Sequence, residues 1–166
     1  MSISVRDATE DDVPAVAAIY THYTLRTTAT FNTDVRTPRE WRDRFQQNIA
    51  EGPYELLVAT EDGAVVGFVE TQQFRPKPAY RRSLEISVYV APDLQTRGVG
   101  NALFSALFER LDQDDRFHRA FSIIALPNDA SIALHERHGF VHRGTLSEAG
   151  FKFDQYLDVA YYERAL

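Results

Sequence analysis

Gln95-Thr96-Arg97-Gly98-Val99-Gly100 sits between an alternating apolar stretch and a helical apolar one, and its spacing suits the binding of an anion. Glycine lacks a Cβ, so its backbone can approach a ligand closely. The first N–H groups of a helix have no internal partner and point outward at its positive end, where a pyrophosphate fits. A P-loop would need Gly-Lys followed by Ser or Thr, which is absent here. A dinucleotide fingerprint would need a third glycine at position 103, where the chain has Leu103. A tight strand-to-helix turn with no ligand explains the glycine pair equally well. A second charged feature lies upstream. Arg75 and Lys77 fall on one side of the chain if that stretch stays extended, as Pro76 and Pro78 favour. The pair then suits an anionic group on a substrate, the alternative being a solvated basic loop.

The 166 residues are enough for one domain with a real core, and 44% hydrophobic with 25% charged residues is an ordinary globular composition. A formal net charge of −6 argues against a protein that works by neutralising nucleic-acid phosphates. The absence of cysteine excludes disulfides, thiolate catalysis and cysteine metal sites. No apolar run approaches the roughly 20 residues that cross a bilayer, and Met1 to Asp7 does not read as a secretory signal. These absences make a cytoplasmic protein without metal, membrane or nucleic-acid partners the expectation.

The elements that must position the charged residues are legible in outline. Ile3 and Val5 alternate as a first strand. Thr9 to Asp12 has capping-box spacing, with Asp12 in place of the usual Glu, ahead of a helix from Val13 to Tyr23. Thr37-Pro38-Arg39-Glu40 is a stronger helix start, followed by Trp41, Phe45 and Ile49 on one face. Asp62-Gly63 joins strands over Glu55–Thr60 and Ala64–Gln73 as a hairpin. In Ser83–Val90, Leu84, Ile86, Val88 and Val90 share one face, and Glu85, Ser87 and Tyr89 share the other. Leu103, Leu107 and Leu111 mark a helix from Gly98 to about Asp112. Phe121–Leu126 reads as a buried strand, and Asn128 caps a short helix that Gly139 stops. Val141 to Leu166 allows one or two strands around Gly150. The order implies an α/β (α+β) fold with a mixed sheet.

Ser87-Val88-Tyr89-Val90-Ala91-Pro92 before the glycine loop and Asn101-Ala102-Leu103 after it resemble the coenzyme A motif of the GNAT N-acetyltransferases. Leu126 to Glu136, with Gly139-Phe140, resembles the GNAT segment that flanks the pantetheine arm. Thr30-Phe31, Phe74 to Tyr80, Leu84 to Val90 and Gly150-Phe151-Lys152 are similar to the phosphinothricin acetyltransferase branch, which includes the methionine sulfoximine and methionine sulfone acetyltransferases. The similarity runs from about Val5 to Glu163. It implies one GNAT domain over residues 1–166, with a mostly antiparallel twisted sheet flanked by helices. It also implies acetyl-CoA as co-substrate and a homodimer, for which Tyr156, Tyr161 and Tyr162 are candidate interface residues.

The resemblance also assigns residues. Backbone groups of Val88, Tyr89 and Val90 would pair with the pantetheine arm. Gln95, Thr96, Arg97, Gly98, Val99, Gly100 and Asn101 would bind the coenzyme, those from Thr96 onward around its pyrophosphate. Asn128 and Ser131 would touch it from the other side. Glu85, beside Ser87, is the candidate base, since an amine must be neutral to attack a thioester. His135 stands where many GNAT enzymes place a tyrosine acid, and near its ordinary pKa it would donate a proton or hold water, the alternative being a histidine packed in its helix. Phe31 and Tyr80 would wall the acceptor pocket, Arg75 and Lys77 would hold an anionic group, and Glu85 and Ser87 would also face the substrate. The expected reaction is acetylation of a small amino-acid-like amine of the phosphinothricin, methionine sulfoximine or methionine sulfone type. The alternatives are acetylation of a peptide terminus, lysine or polyamine, and an acyl-CoA-binding module without turnover.

Overall fold

The computed structural model describes residues 3–94 and 98–166. Gln95, Thr96 and Arg97, three of the expected coenzyme ligands, lie outside the described residues.

The chain enters through strand β1 (Ser4–Asp7) and a short 3-10 turn at Glu10–Asp12. The Asp12 carboxylate accepts from the Thr9 N–H at 2.8 Å and hydroxyl at 3.0 Å, and pairs with Arg6 at 2.7 Å, so the expected box forms. Helix α1 (Val13–Arg26) then runs three residues past the expected end at Tyr23. Helix α2 (Pro38–Arg44) opens with the Thr37–Glu40 capping box and widens into π-type turns over Phe45–Ala50. Trp41 is buried, and Phe45 and Ile49 pack partly buried beside it, so the apolar stripe survives the change of helix type.

Strands β2 (Leu56–Glu61) and β3 (Ala64–Gln73) form the Asp62-Gly63 hairpin, whose two turn residues have φ +50° and +85°. Strand β4 (Ser83–Val90) leads to helix α3 (Val99–Leu111), strand β5 (Arg119–Ala125) and helix α4 (Asp129–Arg137). Strands β6 (Val141–Lys152) and β7 (Gln155–Ala165) close the chain. Among the described residues the seven strands form one sheet in the order β1-β2-β3-β4-β5-β7-β6, antiparallel except between β4 and β5. Helices α1 and α2 cover one face through Val16, Tyr20, Trp41, Val58 and Phe68. Helix α3 covers the other through Leu103, Phe104, Leu107 and Leu111.

The tail forms both of the strands allowed for it, joined by a hairpin that turns at Phe153-Asp154, both with positive φ. Gly150 stays in the ladder opposite Leu157, where its missing side chain makes room for the Phe31 ring. One expectation changes: the stretch from Phe74 does not stay extended. It bends after Gln73, and Pro78, with its fixed φ, starts a 3-10 turn over Pro78–Tyr80. No helix among the described residues is long and apolar enough to cross a membrane, and no group of three or more His, Asp or Glu there could hold a metal ion.

Candidate active site

Strands β4 and β5 pair only at Ser83–Arg119, Leu84–Ala120 and Glu85–Phe121, then part. Beyond that point β4 keeps its ladder to β3 but exposes its other edge. The Ser122 hydroxyl donates to the Ile86 carbonyl at 3.1 Å at the base of the fork, and the Tyr23 hydroxyl donates to the Val90 carbonyl at 2.7 Å at its mouth. Backbone groups of a strand alternate sides, so the Val88 N–H and C=O point the same way, into the gap between those two capped carbonyls. The fork opens into a cleft of about 610 Å³, bounded by Ile86 to Val90, Ser122 to Ile124, the start of α3, the inner face of α4 and Thr27 to Ala29.

The described end of the glycine loop borders this cleft. Gly98 caps α3 with φ +77°, a conformation that a side chain would strain. Gly100 has a different reason: a Cβ there would lie 3.0 Å from the Leu134 side chain, so its smallness lets α3 approach α4. Val99 is buried in the core, 1% exposed, and presents no side chain to a ligand. The Asn101 side-chain oxygen accepts from His138 Nε2 at 3.0 Å, a tie between the two helices. Asn128 caps α4 by accepting from the Ser131 N–H at 3.2 Å, and both residues border the cleft.

His135 takes the packed alternative. It is 2% exposed, edge-on to Phe104 and Phe140, and burial pushes its pKa down to about 4. Its Nδ1–H donates to the Ser131 carbonyl at 2.7 Å, which makes Nε2 the acceptor nitrogen. Nε2 is buried and, among the described residues, without a protein partner. A neutral imidazole of this tautomer holds no proton on Nε2 at neutral pH to give a departing thiolate.

On the opposite face of β4, Glu85 and Ser87 stand across from Gln72 and Glu70 of β3. Burial raises the Glu85 pKa, opposed by the Arg75 guanidinium 3.6 Å away and by a hydrogen bond with Gln72. Arg44 of α2 holds Glu70 at 3.0 Å and the Gln72 carbonyl oxygen at 2.9 Å, so Glu70 is neutralised by its own cation. Arg75 stacks over Phe74 and donates to the Tyr161 hydroxyl at 3.2 Å. Arg75 therefore meets Glu85, whereas Lys77 stands exposed in the bend. The expected convergence of the two cations fails because the chain turns between them. Tyr80 packs edge-on to Phe74, and Phe31 lies on Gly150 at the far end of β6. The sequence reading missed Tyr23, Ser122, Arg44, Glu70, Gln72 and Tyr161. Glu70 and Gln72 had a signal, two polar residues at strand spacing in an otherwise apolar run.

The comparisons with known proteins agree with this geometry. Residues 16–140 match the acetyltransferase (GNAT) family model. A phosphinothricin N-acetyltransferase of Streptomyces coelicolor is 44% identical, covering 99% of this chain and 96% of its own. A methionine sulfoximine and methionine sulfone acetyltransferase of Pseudomonas aeruginosa is 36% identical, covering 97% of this chain and 93% of its own. The crystal structure of a phosphinothricin acetyltransferase from Sinorhizobium meliloti in complex with acetyl-CoA superposes with a TM-score of 0.94 at 33% identity, covering 100% of this chain and 89% of that one. The chain belongs to the GNAT family of acyl-CoA-dependent N-acetyltransferases, and these relatives put it with the phosphinothricin and methionine sulfoximine acetyltransferases.

His135 gives this region a pH signature. Its pKa is depressed on folding, so its contribution is present above the unfolded value of 6.5 and is lost as pH falls towards about 4. The thermal midpoint should fall over that window, and His135→Phe should flatten the slope. An unchanged slope would mean that His135 is accessible to protons in the folded protein.

Proposed function

We propose that the protein transfers an acetyl group from acetyl-CoA to the amine of a small amino-acid-like acceptor, of the phosphinothricin, methionine sulfoximine or methionine sulfone type. The observation that carries this reading is the β4–β5 fork, which leaves the Val88 backbone facing a cleft on one side of a strand whose other face presents Glu85. The cleft suits the pantetheine arm, with Asn128 and Ser131 opposite Val88, Tyr89 and Val90. The cap and first turn of α3, Gly98 to Asn101, together with Thr96 and Arg97, are assigned to the pyrophosphate, and Gln95 to the coenzyme beside it.

In the reaction the neutral amine attacks the thioester carbonyl, its proton passes to Glu85 directly or through water, and the coenzyme leaves as its thiolate. Burial makes Glu85 a stronger base than a solvated carboxylate, while Arg75 keeps it ionised often enough to accept. Arg75 also suits the acceptor's acidic group, and Phe31 and Tyr80 its apolar walls.

An amine panel read by thiol release tests this. Turnover is expected with methionine sulfone, methionine sulfoximine or phosphinothricin, and Glu85→Gln should lower it by about 10²- to 10⁴-fold with coenzyme binding kept. Turnover only with peptides, lysine or polyamines would replace the acceptor. Equal rates in wild type and Glu85→Gln would remove Glu85 as base.

We also propose that two copies pair through the β6–β7 hairpin. Leu146, Phe151, Phe153 and Tyr156 are all at least half exposed there, and Phe151 packs against Tyr156 on the outer edge of the sheet. Tyr162 is not part of that surface, being 5% exposed in the core, and Tyr161 serves Arg75. Light scattering should give twice the chain mass, falling to one chain in Phe151→Asp/Tyr156→Asp. A monomeric wild type would contradict the pairing.

A further inference from the structure

Lys152 is 3% exposed at the end of β6, its Nζ lies 5.1 Å from the centre of the Phe153 ring, and burial pulls its pKa down. A buried ammonium is costly unless it is well bonded, and an apolar residue in this place would avoid that cost. Its Nζ donates to the Thr30 carbonyl at 2.7 Å, reaching across to the loop between α1 and α2. The same loop is tied from below by the Thr30 hydroxyl, 2.9 Å from the Tyr20 hydroxyl, and by the Asn32 amide group, which also meets Tyr20.

Two residues before Lys152, on the same face of β6, stands Gly150. A Cβ there would lie 2.3 Å from two ring atoms of Phe31, so the ring rests on bare backbone. Gly150 and Lys152 thus seize consecutive loop residues, one by a space and the other by a charge-assisted hydrogen bond. The preceding residues of the loop, Thr27 to Ala29, border the cleft.

We propose that Gly150 and Lys152 are positioning residues that latch the Thr30–Phe31 loop over the acceptor end of the site, so that β6 sets acceptor affinity without touching the coenzyme. This rests on the reading of Phe31 as an acceptor-pocket wall.

The test measures KM for methionine sulfone and for acetyl-CoA, together with amide exchange of Thr30 to Asn32, in Lys152→Met and Gly150→Ala. Loss of the charged hydrogen bond should raise the acceptor KM roughly tenfold in Lys152→Met, with the acetyl-CoA KM unchanged and the loop amides exchanging faster. Gly150→Ala should do the same by lifting Phe31, and should add nothing further in a Phe31→Ala background. Wild-type acceptor KM with unchanged loop exchange in both variants overturns the latch, as does an equal rise in both KM values, which would mean general loosening. If the wild type does not turn over methionine sulfone, the acceptor reading fails, and loop exchange alone decides the latch.

Discussion

Parallel strands β4 and β5 hold together for three residue pairs and then separate, and the site depends on that parting. A backbone group left without a partner inside a protein is unfavourable, so a sheet does not open in its middle without compensation. Here Ser122 and Tyr23 supply it at Ile86 and Val90, and Val88 is left between them for a ligand. The two capped carbonyls limit the opening to one strand-length recognition edge. An acyl-pantetheine arm, with amide groups spaced along an extended chain, has the chemistry to complete it.

The opposite face of the same strand solves a different problem. To act as the proposed base, Glu85 must be basic, which favours burial, yet ionised, which favours a nearby cation. Arg75 meets the second need at 3.6 Å, longer than a tight ion pair, so the carboxylate is not locked. Glu70 next to it would repel, but Arg44 engages it from α2. On the proposed reading one strand carries both halves of the chemistry, coenzyme recognition in its backbone and proton acceptance in its side chains, because its side chains and backbone groups project in different directions.

Much of this was legible in the sequence, and the failures have physical causes. The alternation in Ser83–Val90 gave the correct faces because strand period is local. The capping boxes at Thr9 and Thr37 formed because they need only four consecutive residues. The fork itself was not readable from composition or period, since it depends on where β5 ends its pairing, a long-range event. Arg75 and Lys77 do not converge because the chain bends through residues 74–77, ahead of the 3-10 turn that Pro78 starts, and two prolines do not enforce an extended chain. The role of Gly150, making room for Phe31, was not readable because that ring arrives from a loop more than a hundred residues away. For His135 the residues allowed both an acid and a packed histidine, and Phe104 and Phe140, which decide for packing, close around it only in the folded chain.

The central claim is that the Val88 backbone, exposed by the fork, is the seat of the coenzyme. Residue-resolved hydrogen exchange of the Val88 amide, with and without saturating acetyl-CoA, tests it directly. The amide should exchange readily in the free protein and become protected in the complex. Tight binding of acetyl-CoA by calorimetry with no change in exchange at Val88 would contradict it.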